Sequence, residues 1–224
     1  MADMTDLRLV ELICSRLCHE LVNPVGAVGN GVELLTELGG MDKEALDLIN
    51  QSARTAGQRL QFYRLAYGQA SGMAAEISVA QAGEIARGVL ISHRLKLDWP
   101  SSGPDGERRL SKSVLKLLLN LVLLAAEALP RGGRIALSLA PHGDRLDAEM
   151  LAEGDPTGLS DATREAFAGT AELEALTPRT AHAYFTGRLA KALGIAVALE
   201  EKTGRLAFRL SLPAPLASTA ESTG

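Results

Sequence analysis

A histidine followed directly by a carboxylate is the first feature of this sequence that is suited to chemistry. His19 and Glu20 occur in the segment Leu17-Cys18-His19-Glu20-Leu21-Val22-Asn23-Pro24. Neutral imidazole is a nucleophile near pH 7, because its unperturbed pKa is about 6.5. An adjacent carboxylate can orient the ring or accept its second proton. The pair suits nucleophilic or acid–base chemistry, and an ordinary surface histidine is the competing interpretation of these residues alone.

A long amphipathic helix is predicted to carry this segment. Apolar residues recur at steps of three or four and predict one buried stripe, which comprises Ile13, Leu17, Leu21, Val25, Val28, Val32 and Leu35. His19 is two residues from both Leu17 and Leu21, which corresponds to about 200° of helical rotation. We therefore expect His19 to face away from the stripe, on the face that it shares with Arg16 and Asn23.

Pro24 is predicted to disturb this helix one turn after Glu20. Proline has no N–H, so the backbone carbonyl of Glu20 loses its intrahelical donor. A kink is therefore expected just past His19.

The composition indicates a globular protein with a sizeable core. The 224 residues are 46% hydrophobic, and their formal net charge of −4 argues against non-specific nucleic-acid binding. No apolar run reaches the length of about 18 residues that a membrane span requires. The chain begins with Met-Ala-Asp-Met-Thr-Asp, which lacks the pattern of a signal peptide. We therefore expect a cytoplasmic protein without nucleic-acid or membrane partners.

Two cysteines, Cys14 and Cys18, lie one helical turn apart just before His19. A soft-metal site normally takes four ligands, and the sequence has no second cysteine pair. Free cysteines in a reduced cytoplasm are usually small buried hydrophobic residues. We expect both to be buried and no metal to be bound.

The first 70 residues predict an antiparallel helical hairpin. One helix covers residues 5–38 and ends at Gly39-Gly40, and a second begins after the N-cap Asp42 and ends near Gly68. Each helix has an apolar stripe, and a single hairpin cannot bury both stripes fully. Two hairpins that pair into a four-helix bundle are the simplest closed solution, so we predict a homodimer.

The chain changes character after residue 70. Residues 71–77 predict a linker, residues 78–213 an α+β domain, and residues 214–224 a disordered tail. The predicted elements of the α+β domain are helices over 78–93, 111–129, 161–169 and 178–193, strands over 95–99, 135–139 and 145–152, a loop over 101–107 and a terminal hairpin over 195–212. Its helices are expected to pack against a mixed sheet.

The order of these elements resembles that of sensor histidine kinases. The segment His19-Glu20-Leu21-Val22-Asn23-Pro24-Val25 is similar to the phosphoacceptor box in the first helix of their dimerisation domain. Residues 116–125 look like the N box of their ATP-binding domain, and residues 194–213 look like its last strands. The resemblance implies a dimeric four-helix bundle followed by a histidine-kinase ATPase-like α/β sandwich.

The residues that handle the nucleotide in such kinases do not carry over. A second asparagine, four residues after the one matched by Asn120, holds Mg²⁺; here it is Leu124, which offers no oxygen. The basic position three further on is Glu127, whose charge repels phosphate. Ala152 replaces the aspartate that reads adenine, and His182-Ala183-Tyr184-Phe185 replaces the glycine-rich lid. We expect no ATP and no metal on this chain.

A kinase fold with a phosphoacceptor histidine but without an ATP site resembles the ChpT family of alphaproteobacterial histidine phosphotransferases. Residues 52–54, 59–68 and 129–133 also resemble that family, and the match covers residues 7–213. The resemblance implies that His19 shuttles a phosphoryl group between receiver-domain aspartates. The donor would be the receiver domain of a CckA-like hybrid kinase, and the acceptors CtrA-like and CpdR-like response regulators. The Mg²⁺ would come with the receiver domain.

The resemblance also suggests roles for the neighbours of His19. Glu20 would orient the imidazole or accept its second proton, and Asn23 would hydrogen-bond the phosphoryl oxygens or position water. Six further residues are candidates for receiver binding: arginines for an acidic surface, and two apolar residues for an exposed docking patch. Solvated helix charges and helix packing are the competing interpretations. These six are Arg16, Arg54, Arg59, Arg64, Leu12 and Val22. The other histidines, His93, His142 and His182, are interpreted as structural.

Two function classes therefore remain in view. One is a histidine phosphotransferase, an enzyme that does not use ATP. The alternative is a non-catalytic dimeric scaffold or inhibitor, derived from a histidine kinase, that captures receivers. The intact His19-Glu20 pair with its Pro24 kink favours the first, because a scaffold would need neither. A residual ATP-dependent kinase is a weaker third hypothesis.

Overall fold

The computed structural model describes residues 2–37, 42–68, 76–90 and 94–213, with a helical hairpin followed by a mixed-sheet domain. The helices are α1 (Ala2–Glu37), α2 (Lys43–Ala66), α3 (Val79–Leu90), α4 (Gly103–Glu107), α5 (Lys112–Glu127), α6 (Asp161–Ala168) and α7 (Ala181–Ala192). The strands are β1 (Glu76–Ser78), β2 (Leu95–Asp98), β3 (Arg109–Ser111), β4 (Gly133–His142), β5 (Arg145–Glu153), β6 (Val197–Lys202) and β7 (Arg205–Pro213). A short 3₁₀ turn covers Leu173–Ala175. None of the described helices is long and apolar enough to cross a membrane.

The hairpin follows the predicted pattern closely. Helix α1 continues through Pro24. Helix α2 starts where expected, because Asp42 accepts a hydrogen bond from the backbone N–H of Ala45 at 2.8 Å and so satisfies one of the free donors of its first turn. The predicted turn residues, Gly39 and Gly40, lie outside the described part of the chain.

The main sheet has the strand order β2-β4-β5-β7-β6. Strand β2 runs parallel to β4, and the remaining neighbours are antiparallel. Alternate residues of β4, namely Ile135, Leu137 and Leu139, are buried on the face that carries the helices. The fold class predicted from the sequence is confirmed: a helical hairpin followed by an ATPase-like domain. The dimeric bundle stays a prediction.

Helix α5 is the centre of the core. Ser111 caps it by accepting a hydrogen bond from the N–H of Val114, and every residue from Leu117 to Ala125 is buried. A helix that is apolar on all sides must be covered on all sides. The sheet covers one side and the hairpin the other, so the buried residues form one continuous cluster. Each fully buried leucine contributes about 1.5–3 kcal/mol relative to an exposed one.

Two polar side chains of α5 form hydrogen bonds that join the hairpin to the sheet domain. Asn120, fully buried, donates from Nδ2 to the carbonyl oxygens of Ala66 and Lys116, both at 2.8 Å. Lys116 Nζ donates to the carbonyl oxygen of Gly68 at 2.7 Å. The last carbonyls of a helix have no intrahelical donors; Asn120 supplies one to the last residue of α2, and Lys116 supplies one to Gly68 just beyond the helix. Asn120, which matches the N box of the kinases, therefore links the end of α2 to the sheet domain.

Several predicted boundaries require correction. The loop over 101–107 contains α4, whose first turn carries Pro104 at a position that suits proline. The helix predicted from residue 178 begins at Ala181, because the hydroxyls of Thr177 and Thr180 each accept a hydrogen bond from the other's backbone N–H and form a turn. Residues 76 and 77 of the predicted linker belong to β1, which pairs with β3. Residues 71–75 and 214–224 lie outside the described ranges.

The predicted burial of the α1 stripe holds only in part for the single chain, where Ile13 and Leu17 pack against the core. Val25 and Val32 are 57% and 51% exposed, since no described residue covers that side of the helix. Cys14 and Cys18, which were expected to be buried, are also exposed.

Candidate active site

His19 is exposed on α1 and lines a cavity of about 450 Å³. The hairpin contributes Arg16, Glu20 and Tyr63 to this cavity. Its opposite wall comes from the sheet domain: apolar residues at the ends of α3 and α5, and the loop before α7. The phosphoacceptor candidate therefore sits where the two parts of the fold meet.

Glu20 is held in place by Arg59 of α2. Arg59 Nη1 donates to the backbone carbonyl of Glu20 and lies 3.0 Å from the Glu20 carboxylate oxygen Oε2. That carbonyl is the one whose helical donor Pro24 removes. The guanidinium thus replaces the missing N–H and also neutralises the carboxylate beside His19. Arg59 was predicted to bind a receiver, but its side chain is only 14% exposed and is engaged within the chain.

Arg16 reaches from α1 to the sheet domain. Its Nη1 donates to the carbonyl oxygen of Arg179 at 3.2 Å, in the loop before α7. Its Nε is buried without a hydrogen-bond partner. Among the residues that the structure describes, no carboxylate forms an ion pair with it.

A buried polar cluster lies behind Arg16. His182 is fully buried, with Nδ1 2.9 Å from the same carbonyl oxygen of Arg179, while its Nε2 has no hydrogen-bond partner. Burial lowers the pKa of His182 to about 3, so the ring is neutral at physiological pH. Glu127 accepts a hydrogen bond from the hydroxyl of Thr163 at 2.9 Å and lies 3.5 Å from Arg179 Nε. The carboxylate therefore serves contacts within the domain.

Aromatic rings pack against one another next to the cavity. Tyr63 and Tyr67 stack with a centroid distance of 5.9 Å, and Phe185 meets Tyr67 edge-on at 5.3 Å. Burial raises the pKa of Tyr67 to about 12 and keeps its hydroxyl neutral. We did not predict Tyr63 as a site residue; the four-residue spacing of Arg59, Tyr63 and Tyr67 along α2 was the available signal.

The remaining candidates are distributed over the surface and the core. Asn23, Arg54 and Arg64 are exposed, and Val22 is 64% exposed. Leu12 is only 6% exposed because it packs into the core, so its prediction as part of an exposed docking patch is wrong.

The other two histidines lie away from the cavity or cannot be described. His142 is exposed and pairs with Asp147 at 2.8 Å. His93 lies outside the described residues.

The positions that match nucleotide-binding residues are occupied by core packing. Leu124 and Ala152 are fully buried. The segment His182-Ala183-Tyr184-Phe185 lies in helix α7. Within the described ranges, no three His, Cys, Asp or Glu side chains are grouped so as to hold a metal ion.

A helical hairpin that presents a histidine beside a paired carboxylate, joined to an ATPase-like domain, is the architecture of a phosphotransfer protein. Residues 79–205 match the family described as histidine phosphotransferase C-terminal domain, and the chain belongs to the histidine phosphotransferase family. It is 34% identical over 208 residues to protein phosphotransferase ChpT of Brucella abortus (strain 2308), covering 92% of this chain and 96% of that protein. A solved structure described as a bacterial phosphotransferase aligns with a TM-score of 0.74 and 31% identity, covering 91% and 96% of the two chains.

Replacement of Arg59 tests its role in repairing the helix at Pro24. We expect Arg59→Met to lower the free energy of unfolding by about 1–3 kcal/mol, because a partly buried carbonyl and a carboxylate both lose their donor. Arg54→Met, at an exposed site on the same helix, is the matched control and should change stability by less than about 0.5 kcal/mol. Urea unfolding measures both. Equal effects in the two variants would contradict the assignment.

The neutral, buried His182 makes stability depend on pH. The pKa of His182 is about 3 in the folded protein and ordinarily 6.5. Below pH 6.5 this residue therefore binds a proton in the unfolded state but stays neutral in the folded state. Stability is therefore lost as pH falls, by about 2 kcal/mol from this residue between pH 6.5 and 5. His182→Leu should remove that part of the slope in urea titrations at several pH values. Parallel slopes for the two proteins would refute the prediction.

Proposed function

We propose that this protein is a histidine phosphotransferase in which His19 carries the phosphoryl group between receiver domains. The observation that carries the proposal is the exposed His19 beside Glu20, whose carbonyl and carboxylate are both fixed by Arg59. Membership of the histidine phosphotransferase family supports it.

The transfer is a displacement at phosphorus in each direction. A neutral imidazole nitrogen of His19 attacks the aspartyl phosphate of the donor receiver; the N–P bond forms, the acyl P–O bond breaks, and the aspartate leaves as a carboxylate. Glu20 accepts a hydrogen bond from the second ring nitrogen and stabilises its proton. The phosphohistidine then gives the group to an aspartate of the next receiver. Mg²⁺ held by the receiver offsets the phosphoryl charge.

We propose that ATP has no part in this activity. At the position of the Mg²⁺-binding asparagine, Leu124 has no oxygen to offer, and it is packed in the core. Ala152 has no side-chain oxygen to accept a hydrogen bond from adenine, and the negative charge of Glu127 would repel phosphate. No cofactor is then expected on this chain.

The receiver partners that we propose are a CckA-like hybrid kinase as donor and CtrA-like and CpdR-like regulators as acceptors. The exposed candidates for docking are Val22, Arg54 and Arg64, on the hairpin that carries His19. Asn23, exposed one turn after His19, is positioned to contact phosphoryl oxygens or a water molecule.

We further propose that two hairpins associate into a four-helix bundle. Exposed apolar residues recur along one side of α1 at steps that follow the helix, and the exposed Cys14 and Cys18 continue the same stripe. The exposed apolar residues on this side are Leu7, Val10, Val25 and Val32, and Leu60 of α2 is exposed as well. A second copy of the hairpin would cover these side chains and account for their exposure in the single chain.

Phosphoryl transfer to His19 is tested with a phosphorylated receiver domain and, separately, with ATP–Mg²⁺. We expect acid-labile, alkali-stable label from the receiver in the wild-type protein and in His142→Ala, a control at another exposed histidine, but none in His19→Ala. Label from ATP alone would make the protein a kinase. Receiver binding with no label on the wild type would leave the scaffold hypothesis in its place.

Dimerisation is tested by sedimentation equilibrium. We expect the wild-type protein to have a mass of twice 23.6 kDa. Val25→Glu should raise the dissociation constant of the dimer at least about tenfold, because it places a charge in the helix face that the dimer buries. Ala140→Glu, at an exposed position on the sheet, is the matched control and should leave the mass unchanged. A monomeric wild-type protein would refute the bundle.

A further inference from the structure

We propose that Arg16 binds the phosphoryl group of phosphorylated His19, and that the sheet domain holds Arg16 ready for it. The inference rests on the proposed phosphotransfer at His19 and assigns a binding residue to that site. Arg16 precedes His19 by three residues in α1, so their Cβ atoms are about 5–6 Å apart on one helix face. Both side chains line the same cavity.

Arg16 differs from the other arginines around the cavity in that no described carboxylate pairs with it. Arg59 is paired with Glu20 at 3.0 Å, and Arg179 lies 3.5 Å from Glu127. Within the described part of the chain, Arg16 forms no ion pair, and its Nη1 donates a hydrogen bond to a neutral carbonyl. Its buried Nε has no acceptor. The unphosphorylated site thus contains a partly buried cation with an unused donor, which is unfavourable until an anion arrives.

A phosphoryl group on His19 would supply the anionic hydrogen-bond acceptor that the Arg16 guanidinium lacks. It adds roughly 1.5–2 negative charges and three strong acceptor oxygens. Guanidinium has five N–H donors in a planar fork that matches such oxygens. The second terminal nitrogen, Nη2, can donate to the phosphoryl oxygens while Nη1 keeps its present bond to the Arg179 carbonyl.

The sheet domain prepares Arg16 for this role through one backbone atom. The carbonyl oxygen of Arg179 lies within hydrogen-bond distance of both Arg16 Nη1 and His182 Nδ1, and a carbonyl has two lone pairs to accept them. His182 is fully buried, which fixes the position of that carbonyl. The guanidinium is therefore immobilised before the phosphoryl group arrives, so less conformational entropy is lost on binding it. Through this contact the sheet domain would position Arg16 for the transfer without binding a nucleotide.

The experiment compares Arg16→Gln, which retains a donor for the Arg179 carbonyl but loses the charge, with Arg16→Lys, which retains the charge. Arg8→Gln, at an exposed arginine about two turns before Arg16 in α1, is the matched control. His19 is phosphorylated with phosphoramidate, from which the P–N bond breaks and ammonia leaves as the bond to imidazole forms. The ³¹P resonance is then titrated with pH. The equilibrium of transfer from a phosphorylated receiver is measured in parallel.

We expect the phosphoryl pKa in the wild type to lie about one unit below that of a phosphohistidine peptide, because a nearby cation favours the dianion. Arg16→Gln should abolish this difference and lower the equilibrium constant for transfer to His19 about tenfold, the loss of one charge-assisted hydrogen bond. Arg16→Lys should restore part of both, and Arg8→Gln should match the wild type.

Equal phosphoryl pKa values in the wild type and the peptide would overturn the role of Arg16, whether or not the Gln variant folds. An unchanged phosphoryl pKa and an unchanged transfer equilibrium in a folded Arg16→Gln variant would also overturn the role of Arg16. Label on His19 in that case would still support the phosphotransfer function. Absence of label on His19 from both phosphoramidate and the receiver would overturn the function and the inference together.

Discussion

The requirement that α5 be covered on every side is the constraint on which the rest of the structure depends. Its residues from Leu117 to Ala125 are buried without interruption, so neither the sheet nor the hairpin alone would satisfy the helix. The end of α2 packs against it, and Asn120 supplies donors to the backbone there. Burial of one helix therefore sets the position of the hairpin, and with it the position of His19 above the domain.

Polar atoms left without partners by the backbone are satisfied by arginines and amides from distant parts of the chain. Arg59 donates to the carbonyl that Pro24 frees, and Asn120 donates to a carbonyl at the end of α2. Arg16 donates to the carbonyl of Arg179 across the junction of the two parts. Each of these contacts joins two elements, so the same hydrogen bonds that satisfy the backbone also orient the side chains around His19.

The sheet domain retains the outline of an ATPase-like fold with a different interior at the nucleotide positions. Leu124 and Ala152 are core residues, and Glu127 belongs to a hydrogen-bonded cluster with Thr163 and Arg179. Apolar side chains at these positions can be buried without the cost of leaving polar groups unsatisfied. The domain packs against the hairpin and contributes the Arg179 carbonyl that accepts a hydrogen bond from Arg16, next to His19 in the same cavity.

The sequence by itself determined the hairpin, the mixed-sheet domain and the core character of α5, because these follow from local periodicity and capping residues such as Asp42 and Ser111. Tertiary structure alone decided which polar groups meet. Arg59 was predicted to lie on a docking surface and Leu12 on an exposed patch, yet one pairs with Glu20 and the other is buried. Helical spacing gives the face of a side chain on its own helix. The element that covers that face comes from packing between residues far apart in the chain, as with Arg16 and Arg179, 163 positions apart.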